Sequence, residues 1–183
     1  MASVLVPLAQ GCEEIEAVTV IDLLRRAGID VVTAGLDAQP VRASRGVMLL
    51  PDMTLDAAMQ QEFDMIILPG GLPGADHLRD DPRVIDLLKK MAAADRSTAA
   101  ICAAPRVLAH AGLLDGKRAT SFPGALDIGT IPGLDYQETA VVTDDKVITS
   151  RGPGTAMDFA LTLIETLAGR KQRDEVEAGL QRG

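Results

Sequence analysis

The chain is short of aromatic residues: it has no tryptophan, one tyrosine and three phenylalanines. Its core must therefore be filled by Leu, Ile, Val, Ala and Met. A length of 183 residues suffices for one domain, so residues 1–183 are expected to fold as a single unit. The missing aromatics remove the platforms on which bases stack. A formal net charge of −8 removes the clustered cations that phosphate backbones need. Both argue against nucleic acid as a partner. No apolar run approaches the roughly 20 residues of a membrane span. The first residues, Met1 to Pro7, carry no basic stretch ahead of the apolar ones and read as a strand, so a cytoplasmic location is expected. Two cysteines make no disulfide framework and are expected as free thiols. Histidines and cysteines are too few and too scattered for a metal cluster. The run Gly70-Gly71-Leu72-Pro73-Gly74 has neither phosphate-loop nor dinucleotide spacing. Neither a metal nor a cofactor is expected.

What is present is an alternation of apolar strands and amphipathic helices. Strands are expected at Val4–Leu8, Asp30–Ala34, around Val47–Leu50, at Asp64–Leu68, up to Cys102 and at Arg118–Ser121. A hairpin is expected from Thr139–Thr143 and Lys146–Ser150 about Asp144-Asp145. Helices are expected over Glu13–Ala27, Pro82–Ala94, from Pro105 to Ala111, over Thr155–Leu167 and near Asp174–Leu180. This alternation predicts an α/β sandwich with a mostly parallel sheet and helices on both faces. In such sheets ligands bind beyond the carboxyl ends of the strands. Cys102, the Gly70-Gly71 loop and the start of the Glu13 helix all belong to that edge.

Cys102 ends an apolar run, and a helical pattern starts at once with Pro105 in its first turn. Ala100, Ala103 and Ala104 surround it, and small neighbours suit a sharp strand-to-helix elbow. Two readings stand side by side: a thiolate favoured by helix N–H groups, and a small buried hydrophobe. Glu16 shares a helix face with Val20, Leu23, Leu24 and Ala27, an apolar stripe that should face the sheet. Glu13 and Glu14 fit a solvated first turn instead. If Glu16 meets Cys102, two anions in a dry pocket repel and one keeps a proton. The expected state is a carboxylic acid donating to a thiolate whose pKa the elbow lowers, the two titrating as a pair. The N–H groups of Gly71 and Ala103 are candidates for binding an oxyanion, with Gly70 allowing close approach. Arg45 is either a charge at the pocket mouth or a solvated side chain. Cys12 reads as a loop cysteine, with a resolving thiol as the sharper alternative. His77 reads as a loop residue and His110 as a cation at a helix end. Neither suggests a Cys-His-acid hydrolase.

Four motifs carry a resemblance. Glu13-Glu14-Ile15-Glu16, Leu68-Pro69-Gly70-Gly71, Ala99 to Pro105 and Ser150-Arg151-Gly152-Pro153-Gly154-Thr155 are similar to those of the ThiJ/PfpI family. Within it they resemble the branch of the human Parkinson-disease deglycase and bacterial YajL. The resemblance spans nearly the whole chain. It implies a flavodoxin-like fold, a homodimer, a reactive Cys102, a protonated Glu16 and an oxyanion side formed by Gly71 and Ala103. It implies cofactor-free conversion of α-oxoaldehydes such as methylglyoxal to 2-hydroxy acids, or removal of early glyoxal adducts from proteins and nucleotides. The alternative it implies is a redox-sensing stress protein or chaperone whose Cys102 is oxidised to sulfinate. One departure stands out: many relatives carry a histidine before the proline after Thr120, where this chain has Phe122 before Pro123. Phe122 moves no proton, so the burden falls on Glu16.

Overall fold

The computed structural model describes residues 1–182. In chain order the elements are β1 (Ser3–Leu8), α1 (Glu14–Arg26), β2 (Asp30–Gly35), β3 (Val41–Arg42), β4 (Met48–Leu49), β5 (Met53–Thr54), α2 (Leu55–Ala58) and β6 (Met65–Leu68). There follow α3 (Gly74–Asp80), α4 (Pro82–Ala93), β7 (Ser97–Ile101), α5 (Pro105–His110), β8 (Arg118–Ala119), β9 (Asp135–Tyr136), β10 (Val141–Asp144) and β11 (Val147–Ser150). A 3-10 turn over Pro153–Thr155 leads into α6 (Ala156–Ala168) and α7 (Arg170–Gly179).

Seven strands form one sheet in the order β10-β11-β7-β6-β1-β2-β5, parallel except where β10 meets β11. Alternation along β1 divides the core. Val4, Val6 and Leu8 pack with α1 and α6 residues on one face, while Leu5 packs with α4 and α5 residues on the other. This is the α/β sandwich that the alternation predicts, in the flavodoxin-like form that the resemblance implies. The chain order reverses between β1 and β6, and the loops leaving those strands open a crevice at their carboxyl ends.

Several expectations need correction. The segment Arg118–Ser121 adds nothing to the main sheet: only Arg118–Ala119 is extended, and it pairs with Asp135–Tyr136 in a separate two-stranded ribbon. His77 lies in helix α3 and not in a loop, its Nδ1 3.0 Å from the carbonyl of Gln10. The terminal helix begins at Arg170, earlier than its charge pattern suggests. Among the described residues no helix is long and apolar enough to cross a membrane.

Candidate active site

Helix α1 brings its first turn to the crevice because its apolar stripe lies on the sheet. Val20, Leu23 and Leu24 are buried there, and Glu16, on the same stripe, is completely buried. Glu13 caps the helix by accepting the Glu16 N–H at 2.9 Å. Glu14 accepts the Ser44 hydroxyl at 2.9 Å and the Arg45 N–H at 2.8 Å. The expectation of a solvated first turn therefore fails: Glu13 and Glu14 are both buried. The loop before β4 folds over them and supplies the donors that water would have given. Burial would raise the Glu14 carboxyl, but the hydrogen bonds from its own N–H, Ser44, Arg45 and Val47 hold it low.

The loop after β6 meets this turn. Gly70 donates its N–H to Glu16 Oε2 at 2.8 Å, and its carbonyl accepts the Glu13 N–H at 2.9 Å. A β-carbon at Gly70 would come within 2.7 Å of both Cys102 Cβ and Glu16 Oε2. Only glycine fits between thiol and carboxyl. Gly71 has a φ of +84°, which glycine adopts without cost.

Cys102 is the elbow itself. Strand β7 ends one residue before it and α5 begins at Pro105. Its φ is +64°, a left-handed conformation that costs a non-glycine residue about 1–2 kcal/mol. The surroundings hold it there: its N–H donates to Ser150 O at 2.9 Å and its carbonyl accepts the Phe122 N–H at 2.8 Å. The N–H groups of Gly71 and Ala103 both reach its sulfur. These are the two N–H groups that the sequence singled out, and both act to lower the Cys102 pKa.

The structure brings Cys102 and Glu16 together. Burial pushes the Glu16 carboxyl up to about 7, against the lowering effect of its hydrogen bonds with Cys102 and Gly70. Burial also pushes the Cys102 thiol up to about 12, with the charge and hydrogen bond of Glu16 adding to the rise. The N–H groups of Gly71 and Ala103 lower it as expected, but they are outweighed. The expected net lowering of Cys102 is therefore corrected: a dry site beside an acid holds the proton. At neutral pH the thiol keeps its proton while Glu16 titrates, and Glu16 Oε1 is buried without a hydrogen-bond partner among the described residues.

Cys102, only 8% exposed, lines a cavity of about 480 Å³ that opens to solvent. Its walls include Glu13, Ser44, Arg45, Gly71, Ala103, Arg106 and Phe122. Arg45 is thus at the cavity and not merely solvated. Phe122, half exposed, forms part of one wall. Cys12 is fully buried in the loop before α1, and burial followed by the Glu14 charge pushes its thiol up to about 12. Neither His77 nor His110 lines the cavity. Among the described residues no group of three His, Cys, Asp or Glu side chains is arranged to hold a metal. Sequence reasoning missed Arg106, the second residue of α5, because Cys102 lies outside that helix and no helical spacing links the two.

The DJ-1/PfpI family pattern matches residues 2–166. The chain belongs to the DJ-1/PfpI family. A Parkinson disease protein 7 homolog of Danio rerio is 45% identical, over 96% of this chain and 95% of that protein. A glutathione-independent glyoxalase, DJR-1.2 of Caenorhabditis elegans, is 38% identical over 96% of this chain and 92% of its own length. The crystal structure of Drosophila melanogaster DJ-1beta superposes with a TM-score of 0.93 at 44% identity, covering 100% of this chain and 98% of that one. Membership in the family supports a stress-related function and an enzymatic capacity within it.

Proposed function

We propose that this DJ-1/PfpI protein is a cysteine-dependent, cofactor-free glyoxalase. The observation that carries the reading is a strained elbow cysteine whose sulfur meets two backbone N–H groups and a buried carboxyl at the floor of an open cavity. The ionised Glu16 carboxylate takes the Cys102 thiol proton as the sulfur attacks the aldehyde carbon of an α-oxoaldehyde. A C–S bond forms, and the carbonyl electron pair moves to oxygen, which takes the Glu16 proton. Glu16, now a carboxylate, removes the hydrogen from that carbon and returns a proton to the neighbouring one, while the hydroxyl proton on the first carbon's oxygen passes to the oxygen of the second. The first carbon is oxidised and the second reduced, so no outside oxidant is needed. Water hydrolyses the resulting thioester and releases a 2-hydroxy acid with the free thiol. Early glyoxal adducts on amines and guanidines would enter through the same attack. The glyoxalase named among the relatives supports this reading.

The test is methylglyoxal turnover by the wild type, Cys102→Ala and Glu16→Gln. Loss in the first variant and a fall of about 10²–10⁴ in the second are expected for a nucleophile and its proton carrier. Turnover retained in Cys102→Ala overturns the mechanism. A second reading rests on the two N–H groups at the sulfur, which suit sulfinate oxygens as well. It expects an intact-mass gain of about two oxygens under mild peroxide, abolished by Cys102→Ser. Gain at Cys12 instead removes it. A homodimer and a cytoplasmic location complete the proposal.

A further inference from the structure

Arg106 stands at the second position of α5 and lines the same cavity as Cys102. Its Nη1 donates to Asp76 Oδ1 at 3.0 Å, and the same oxygen accepts Arg79 Nη1 at 2.9 Å. Arg79 is held as well by Asp80, through Nε at 2.8 Å and Nη2 at 3.1 Å, so Asp76 and Asp80 balance the two guanidiniums and Arg106 keeps one Asp76 oxygen as its carboxylate contact. Arg106 Nε is buried and has no acceptor among the described residues. That N–H is available to a hydrogen-bond acceptor entering from the cavity. Arg45 lines the cavity too, and its guanidinium has only the Ser44 carbonyl at 3.4 Å, with no carboxylate in reach among the described residues. The one acid in the wall, Glu13, is engaged by the Glu16 N–H. The cavity therefore sets the unpaired Arg45 guanidinium and the free Nε of Arg106 in the same wall as the Cys102 nucleophile.

With Nη1 tied to Asp76, the Nε–Nη2 edge of Arg106 remains, and that fork matches a planar carboxylate. We infer that Arg106 makes this cavity select α-oxoaldehydes that carry a carboxylate a few carbons from the aldehyde, with Asp76 as the positioning residue; the inference rests on the glyoxalase reading above. The aldehyde carbon meets Cys102 while the distant carboxylate meets Arg106 and Arg45. The product is a 2-hydroxy dicarboxylic acid, formed by the same internal oxidation and reduction with addition of water.

The experiment compares 4,5-dioxopentanoate with methylglyoxal in the wild type, Arg106→Gln and Arg106→Lys. The kcat/KM ratio of the anionic over the neutral substrate is expected to exceed one in the wild type. It should fall about tenfold in Arg106→Gln, through KM, and recover in part in Arg106→Lys, in line with one charge-assisted contact. Equal losses on both substrates overturn the inference and leave the glyoxalase reading standing. If the wild type turns over neither substrate, the glyoxalase reading falls. Alkylation of Cys102 by iodoacetate and iodoacetamide then decides on anion recognition. An iodoacetate-to-iodoacetamide rate ratio that drops in Arg106→Gln and returns in Arg106→Lys supports it, and an unchanged ratio overturns it.

Discussion

At the scale of single residues, Glu16 is held at a cost that pH reveals. Its carboxyl is raised from 4.5 to about 7 by burial. The folded state therefore binds more protons than the unfolded chain between those values, and stability falls as pH rises through that window. The contribution is complete below about 4.5 and gone above about 7, on the order of 3 kcal/mol in all. Urea unfolding of wild type and Glu16→Gln at pH 5 and pH 8 should show it. The wild type loses stability between the two, and the variant loses less, because glutamine has no proton to give up. Equal slopes would mean that Glu16 ionises freely. The same carboxyl governs the thiol. In the wild type, iodoacetamide alkylation of Cys102 should rise as the pair loses its first proton, with a midpoint near 7. In Glu16→Gln that limb should vanish and one limb remain below about 12, since the charge and hydrogen bond that help raise the thiol are gone. A midpoint near the free-thiol value in the wild type would mean that Cys102 merely packs.

At the scale of elements, the site exists because three segment ends abut: the first turn of α1, the loop after β6 and the elbow after β7. Gly70 is the hinge of that meeting. Gly70→Ala would drive a methyl against Cys102 Cβ, Glu16 Oε2 and Ile101 O, all within 2.8 Å. Because two of these are held by backbone, the segments must separate. A loss of about 1–3 kcal/mol in unfolding free energy is expected, together with loss of the limb near pH 7 in Cys102 alkylation. An unchanged pH profile would show that carboxyl and thiol tolerate separation. The elbow was legible in the sequence, because small residues around Cys102 and Pro105 three positions later leave few other shapes. The inward turn of Glu16 was legible from its apolar stripe. The burial of Glu13 and Glu14 was not, since it depends on Ser44 and Arg45 arriving from about thirty residues away. Helix α3 and strands β3, β5 and β9 were also missed; each is too short to show a period. The rise of the Cys102 pKa was misjudged for a related reason. Local N–H groups can be read from sequence, whereas the dryness of a site is made by everything packed around it.

At the scale of the whole molecule, the parallel order of the sheet collects these ends on one edge, and the alternation of strands and helices made that edge legible. The outer surface raises a different question. Helix α1 buries one stripe, yet Ile15 and Val18, three residues apart on the other side, are 55% and 45% exposed. Val47, Met48 and Leu50 of the neighbouring loop and strand are exposed as well. The bonds from Ser44 and Arg45 to Glu14, and from Ser44 N–H to Cys12 O at 2.8 Å, hold that segment against the start of α1. Apolar side chains from both segments thus border the turn that carries Glu16. A contiguous exposed apolar patch marks an interaction surface, and the proposed homodimer would cover this one by laying α1 of one copy on the other. Sedimentation velocity should then give twice the single-chain mass for the wild type. Val18→Glu, which sets a charge on the exposed side of α1 without touching the core, should shift the distribution to single chains. Because the patch adjoins Glu13 and Glu16, the freed chains should also lose the midpoint near pH 7 in Cys102 alkylation. A wild type that sediments as a single chain would leave this face uncovered and end the dimer proposal.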